Sequence, residues 1–277
     1  MLCNAGIARA SAGTHPIKIK WSKSFYGGEH FVHHDAQRRP HDSDISLPAL
    51  VLAGGRTDAV AIAAGVTAKG AVPVGGEAIL HRIGRALINA KCIDDVVVIA
   101  PPELQTLVEG IDGGWGRISF LSDAGSLWEN VLRGLGALNE YAKLVLFVAG
   151  DIPFLTANAV DAFVREAIVA DADVVYPIIT RECMERTYPD CPRTYVKLRD
   201  GIYTGGNCLL VHREVIYANE ELIKSAIEAR KKPWRLACIL GLRFLVKMLL
   251  RSLTISDIEK RACQIMNCRV CAVVIDA

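Results

Sequence analysis

The 277-residue chain lacks an excess of charge of either sign: 32 Lys and Arg stand against 30 Asp and Glu, a formal net charge of +2. That balance argues against a general nucleic-acid binder, which needs a basic field over the phosphates, and leaves room only for a small local basic site. A secretory leader is also wanting, because "MLCNAGIARASAGTHPIKIKW" holds no long apolar run. With nine cysteines, an odd number, free thiols in a reducing cytoplasm are the expectation. No stretch reaches the roughly 20 apolar residues that span a bilayer. "LACILGLRFLVKMLL" is the nearest, and Arg243 and Lys247 interrupt it. Arg243, Lys247 and Arg251 share one helix face, so this segment reads as a core helix with a solvated stripe. A membrane-surface helix or a lid over an anionic substrate is the alternative. Near the end, "CRVC" has the spacing of half a zinc site, with Cys263 close by. No second pair or histidine completes the ligand set, so ordinary buried thiols are expected.

What is present falls into two kinds of text. Residues 1–46 carry five of the seven histidines (His15, His30, His33, His34 and His41) and show no helical or strand period. So little apolar surface cannot offset ordering entropy, and a disordered extension is expected there. From residue 47 to 277 the text suits one domain. Apolar runs, "ALVLA", "DDVVVIA", "ISFL", "KLVLFVAGD" and "ADVVYPII", alternate with amphipathic stretches such as "GEAILHRIGRALINA", "SLWENVLRGLGALNEYA" and "ANAVDAFVREAIVAD". This predicts an α/β fold with a mostly parallel sheet buried on both faces. Two further strands, 194–198 and 207–212, accompany a tight Asp-Gly turn in "LRDGIY". Helices follow over 215–231, 234–250 and 256–265, so that a helical segment occupies 214–266.

In such a sheet, ligands sit beyond the carboxyl ends of the strands, and two distinctive loops fall there. The first is "LAGGRT". Gly54 and Gly55 have no side chains to keep an anion from the backbone N–H groups, and Arg56 adds a forked positive charge. Neither the Walker A pattern nor the dinucleotide fingerprint is met. The loop instead runs on to Lys69, long enough to wrap a triphosphate. The second is "AGDIPFLT", where Asp151 follows a very apolar strand and could hold Mg²⁺ against phosphate oxygens. Each alone also suits a plain turn with surface charges. Further on, Arg193, Tyr195, Lys197 and Arg199 alternate, which would place all four on one sheet face as a site for an anionic acceptor or as a solvated hairpin face.

The order "LVLAGGR", Lys69, "PVGG", "GSLWENV", "GDIPFLT", "TGGN" resembles the MobA-like nucleotidyltransferases, a group that includes molybdenum-cofactor guanylyltransferases and, more distantly, cytidylyl- and sugar-nucleotide transferases. The similarity spans about Pro48 to His212. It implies a Rossmann-like three-layer α/β/α sandwich and Mg²⁺-dependent transfer of an NMP from an NTP to a phosphorylated or other anionic small molecule, releasing pyrophosphate. By that resemblance Arg56, Lys69 and Asp151 are the catalytic candidates, with Asp151 the metal ligand. Leu52, Ala53, Gly54, Gly55, Ser126 and Asn130 would bind the nucleotide, with Gly125 alongside. Thr204, Gly205, Gly206 and Asn207 would face the acceptor. Two departures stand out: "TDAVAIAAG" replaces the family's Arg-Met/Phe-Gly triplet, and the family's late second metal carboxylate either falls to Asp276 or lies past Ala277. A nucleotide-binding sensor or scaffold without turnover is the alternative. A glycosyltransferase of related fold is less suited, since "AGDIPF" has no Asp-x-Asp motif.

Overall fold

A computed structural model describes residues 45–54, 59–111, 116–229, 241, 244, 246–247 and 250–276. The expected extension over 1–46 lies almost wholly outside the described residues, as do Gly55, Arg56 and most of 234–250. The first strand, β1 (Leu47–Leu52), is followed by a short helix, α1 (Ala59–Ala63), and a two-stranded ribbon of β2 (Pro73–Val74) and β3 (Glu77–Ala78). The run to Lys69 is therefore not a plain loop, since α1 lies within it. Then come α2 (Ile79–Asn89), β4 (Ile93–Ala100), α3 (Gln105–Glu109), β5 (Ile118–Ser122), α4 (Leu127–Ala137), β6 (Leu144–Ala149), α5 (Ala157–Ala170) and β7 (Val174–Thr180).

The second half begins with α6 (Arg181–Thr187) and three strands, β8 (Val196–Leu198), β9 (Gly201–Gly205) and β10 (Cys208–His212). Helices α7 (Arg213–Ala218) and α8 (Glu220–Ala229) follow, and the described chain closes with α9 (Ile255–Met266) and β11 (Val270–Val274). The expected helix over 215–231 is thus two helices. The break falls at Asn219, whose amide donates to the Val215 carbonyl at 3.0 Å and so competes with continued helix. The closing apolar run is a strand parallel to β7.

The sheet has nine strands in the order β5-β4-β1-β6-β10-β7-β9-β8, with β11 pairing β7 off that path. β5, β4, β1 and β6 run parallel, β10 enters antiparallel between β6 and β7, and β7 pairs parallel with β11. Alternation along the strands sends side chains to two cores. Leu47, Ala49, Val51, Val96 and Val98 pack with α2 and α5 residues such as Leu80, Ile83 and Phe163. Leu50, Val97 and Ile99 pack on the other face with Trp128, Val131 and Leu135 of α4. Helices on both faces of a largely parallel sheet make the three-layer α/β/α sandwich that the alternating pattern predicts.

The basic stripe is shorter than its alternation suggested. Only residues 196–198 are strand, so Lys197 sits in β8 while Arg193 and Tyr195 precede it. Arg181 lies over the Tyr195 ring at 5.7 Å, which draws that ring toward α6. Two prolines, Pro189 and Pro192, keep the approach to β8 irregular.

Candidate functional site

Two groups of side chains converge beyond the carboxyl ends of β1, β5 and β6. At the end of β6 stands Asp151, and Lys69 reaches it with Nζ 2.8 Å from Oδ2. Both side chains are near 40% exposed (40% and 43%), so the pair faces solvent. Lys69 opens a single 3₁₀ turn, Lys69–Ala71, set against α2. The Asp151 loop is fixed from below: Arg82 of α2 donates from Nε to the Pro153 carbonyl at 2.9 Å and from Nη1 to Val74 at 3.3 Å. Arg82 thus ties the β2–β3 ribbon to the segment after Asp151.

The second group lies under Gly54. A Cβ at this position would fall 2.5 Å from Asn130 Nδ2 and 2.9 Å from Asp123 Cγ, so only glycine lets the loop rest there. Asn130 is 2% exposed. Its amide donates to Asp123 Oδ1 at 2.7 Å and its carbonyl oxygen accepts from Ala124 N at 2.8 Å. Asp123 Oδ1 also accepts from Gly125 N at 2.8 Å. Ser126 caps α4, taking the Glu129 N–H at 3.2 Å. Asn130 therefore acts inside the protein, shaping the 123–126 turn under the glycine.

Backbone bonds draw the loops together. Gly150 N donates to Leu52 O at 3.0 Å, and Ala149 N donates to Asn207 O at 3.1 Å. β10 runs antiparallel, so its first residues arrive at the same end as the last residues of β6. Thr204 is 7% exposed, Asn207 takes a left-handed φ of 57°, and Gly206 N donates to Pro177 O at 2.9 Å. Leu52, Ala53, Gly54, Lys69, Ser126, Asn130, Asp151 and the segment Thr204–Asn207 all lie at this end of the sheet. Gly55 and Arg56 lie outside the described residues.

Beside Asp151 opens a pocket. Its lining includes Ile152, Phe154, Met184, Tyr188, Arg193 and Gly206. Asp276 also borders it, with Oδ1 3.7 Å from Cys183 Sγ. A wider concavity lies at the opposite end of the sheet, among Leu47, Asp94, Lys143 and His212, and contains none of the strand-end residues. Parallel sheets carry their ligands at the carboxyl end, which favours the pocket next to Asp151.

Mg²⁺ takes oxygen ligands and keeps several waters, so one or two carboxylates with substrate phosphates suffice. Asp151 fits that requirement as a candidate ligand: its carboxylate is half-exposed at the end of β6. No group of three or more His, Cys, Asp or Glu able to enclose a metal occurs among the described residues. Cys263, Cys268 and Cys271, expected as buried thiols, are only half-buried, whereas Cys92, Cys183 and Cys208 are buried. Burial pushes Cys268 and Cys271 up to about 11 and Cys208 up to about 12, which disfavours the thiolate that zinc needs. No helix among the described residues is long and apolar enough to cross a membrane.

Asp123 and Arg82 were not singled out in the sequence. Asp123 follows β5 directly, and the strand-end rule that drew attention to Asp151 applies to it equally. Arg82 sits within an amphipathic helix and carries no such signal.

The profile of the MobA-like NTP transferase domain matches residues 49–235. Among solved structures, a hypothetical transferase from Thermus thermophilus is 32% identical, with a TM-score of 0.72 over 84% of this chain and 97% of that one. A 4-diphosphocytidyl-2C-methyl-D-erythritol synthase from Anaerococcus prevotii shares the fold at 15% identity and a TM-score of 0.52, over 84% and 88% of the two chains. A curated bifunctional enzyme IspD/IspF from Brucella anthropi is 27% identical over 119 residues, 42% of this chain and 29% of its own length. The chain thus spans less than a third of that curated relative. With its profile match, its strand-end loops and its Thermus neighbour in agreement, the chain belongs to the MobA-like NTP transferase family and is a nucleotidyltransferase by class.

Proposed function

We propose that the protein transfers an NMP from an NTP to a small anionic acceptor, with Mg²⁺, releasing pyrophosphate. The observation that carries this reading is the Lys69–Asp151 pair, 2.8 Å apart and open to solvent at the strand ends beside Gly54. An acceptor oxyanion attacks the α-phosphorus in line. A bond forms between the acceptor oxygen and phosphorus, the bond to the bridging oxygen of the β-phosphate breaks, and pyrophosphate leaves with the electron pair. Such a reaction asks the protein for positioning and charge neutralisation rather than a nucleophilic side chain. Lys69 supplies a fixed positive charge where the phosphates lie. Asp151 would hold Mg²⁺, which neutralises charge on the leaving pyrophosphate. The Gly54 loop, seated on Asn130 and Asp123, brings backbone rather than side chains to the nucleotide. Gly55 and Arg56 would continue that cradle, with Ser126 at its edge, while Thr204–Asn207 border the acceptor.

Family profile and fold support the class of reaction, and names among the structural neighbours support the use of nucleoside triphosphates. One of these is a CMP:2-keto-3-deoxy-manno-octonic acid synthetase complexed with CTP, related at 10% identity and a TM-score of 0.54 over 84% of this chain and 90% of that one. The test is pyrophosphate release with Mg²⁺, each of the four NTPs and a pool of phosphorylated small molecules including molybdopterin. Release that depends on one NTP and one acceptor, and vanishes in Asp151→Ala, is expected. Nucleotide binding with no release under any combination would leave a sensor of the same fold.

A further inference from the structure

The pocket beside Asp151 differs in chemistry from a site for a polyhydroxylated ligand. Ile152, Phe154, Met184, Ile179 and Phe163 make its lining predominantly apolar. Phe154 is 43% exposed, so part of its ring is open to a ligand. It stacks on Tyr188 with ring centroids 5.0 Å apart and planes inclined by 25°. The two rings come from unrelated segments, the loop after Asp151 and the end of α6, so the platform is a product of the fold. A sugar needs a hydrogen-bonding partner for each hydroxyl it buries, and a wall of this kind leaves them unpaired.

Arg193 is the one cation of the lining. It is half-buried. Gly206 and Cys208 line the same pocket, so Arg193 and the end of the Thr204–Asn207 segment border one space. The described residues form no ion pair with it. Asp276 borders the same pocket but approaches the Cys183 thiol instead. A half-buried guanidinium with no ion-pair partner among the described residues is suited to a planar, bidentate anion such as a phosphate or carboxylate.

We infer that the acceptor is a small anion with a flat, apolar body, its charged group held by Arg193 and its body laid on the Phe154–Tyr188 platform. This rests on the transferase reading, since it assigns the partner of the same reaction. The pocket begins at Ile152, the residue after Asp151, so the acceptor would adjoin the place proposed for the nucleotide. The buried Cys208 thiol, pushed up to about 12, stays neutral in the pocket floor and offers no competing charge.

The experiment is calorimetric titration of the full chain with 1-naphthyl phosphate, glucose 1-phosphate and inorganic phosphate, with and without saturating NTP and Mg²⁺. Wild type is compared with Arg193→Met and Phe154→Ala, each verified by its thermal melt. Naphthyl phosphate is expected to bind at least roughly 10-fold more tightly than the other two, and to lose about 10-fold in Arg193→Met, the scale of one charge-assisted anion contact. Phe154→Ala should weaken naphthyl phosphate several-fold and leave inorganic phosphate unchanged. Glucose 1-phosphate binding as tightly as naphthyl phosphate, or indifference of both to Arg193→Met, overturns the acceptor class. Pyrophosphate release is scored separately on wild type and Asp151→Ala. Selective naphthyl phosphate binding without release from any NTP sinks the transferase reading alone, whereas release without that selectivity sinks the acceptor class alone.

Discussion

Asn130 and Asp123 hold each other beneath a glycine: the Asn130 amide donates to Asp123 Oδ1 at 2.7 Å, and both atoms lie where a Cβ of residue 54 would fall. The Gly54 loop therefore rests on a polar pair from α4 and the end of β5. Asn130→Ala leaves the half-buried Ala124 N–H without its partner and Asp123 Oδ1 with only Gly125 N as donor. A loss of about 2 kcal/mol in chemical denaturation is expected, with weaker nucleotide binding as the turn relaxes. Asn130→Asp should be worse, because it sets a second carboxylate against Asp123. Gly54→Ala should weaken nucleotide binding and also lower stability, since the added Cβ meets the buried Asn130 amide. Equal nucleotide affinity in wild type, Asn130→Ala and Gly54→Ala would show that this pair only serves packing.

Lys69 and Asp151 present the opposite case. Their ion pair is exposed on both sides and contributes no more than about 1 kcal/mol to folding. Removing either should leave the melting curve nearly in place. Lys69→Met is expected to lower pyrophosphate release by about 10²–10³-fold, the cost of one charge-stabilising donor. Asp151→Asn should abolish release and remove the Mg²⁺ dependence of nucleotide binding. A large stability loss with modest loss of turnover would reverse the assignment and make the pair structural.

Much of this was legible in the chain because the sheet is buried on both faces. β1, β4, β5, β6 and β7 are apolar runs that admit few other readings, and each was anticipated to within a few residues. Asp151 was legible for the same reason: a carboxylate immediately after such a run lies at the rim of the sheet. Arg82 was not, because its contact with the Pro153 carbonyl joins residues 71 apart in sequence. The helix read through Ala142 stops at Ala137, where Leu138 turns to an extended ψ of 154°. The alternating charges from Arg193 to Arg199 suggested one face, but period two has meaning only where the backbone is strand, and that holds for three residues here. The Phe154–Tyr188 platform was illegible altogether, since nothing in either segment names the other.

Gly205 offers a test of the Thr204–Asn207 segment. A Cβ added there would meet the Tyr176 hydroxyl and would lie 2.9 Å from Cζ of the same ring. Burial pushes the Tyr176 hydroxyl above its ordinary range, in keeping with a ring wedged against this turn. Gly205→Ala should cost about 1–3 kcal/mol, the usual scale of overpacking. Adding Tyr176→Phe removes the oxygen but not the ring carbon, so it should recover part of the loss and not all of it. Strict additivity of the two changes would mean that the turn and the ring do not press on each other.

Glu259 sets the pH behaviour of the closing helix and strand. It is 5% exposed; Oε1 accepts from Ala272 N at 2.8 Å, while Oε2 is buried without a close hydrogen-bond partner among the described residues, with only the weak donor Cys271 beside the carboxyl. Burial raises its carboxyl above 4.5, and the hydrogen bonds from Ala272 N and the Cys271 thiol only partly oppose this. The folded protein then binds a proton more tightly than the unfolded chain does. Its contribution is complete below 4.5 and is lost as pH rises through the folded value, with a slope of at most about 1.4 kcal/mol per pH unit for one proton. Glu259→Gln keeps the acceptor for Ala272 and cannot ionise. The variant should lack this part of the pH slope and be at least as stable as wild type at pH 8 by denaturant titration. A variant less stable than wild type at pH 8, with the slope unchanged, would show that the ionised carboxylate is the favoured form and that α9 holds β11 by its charge.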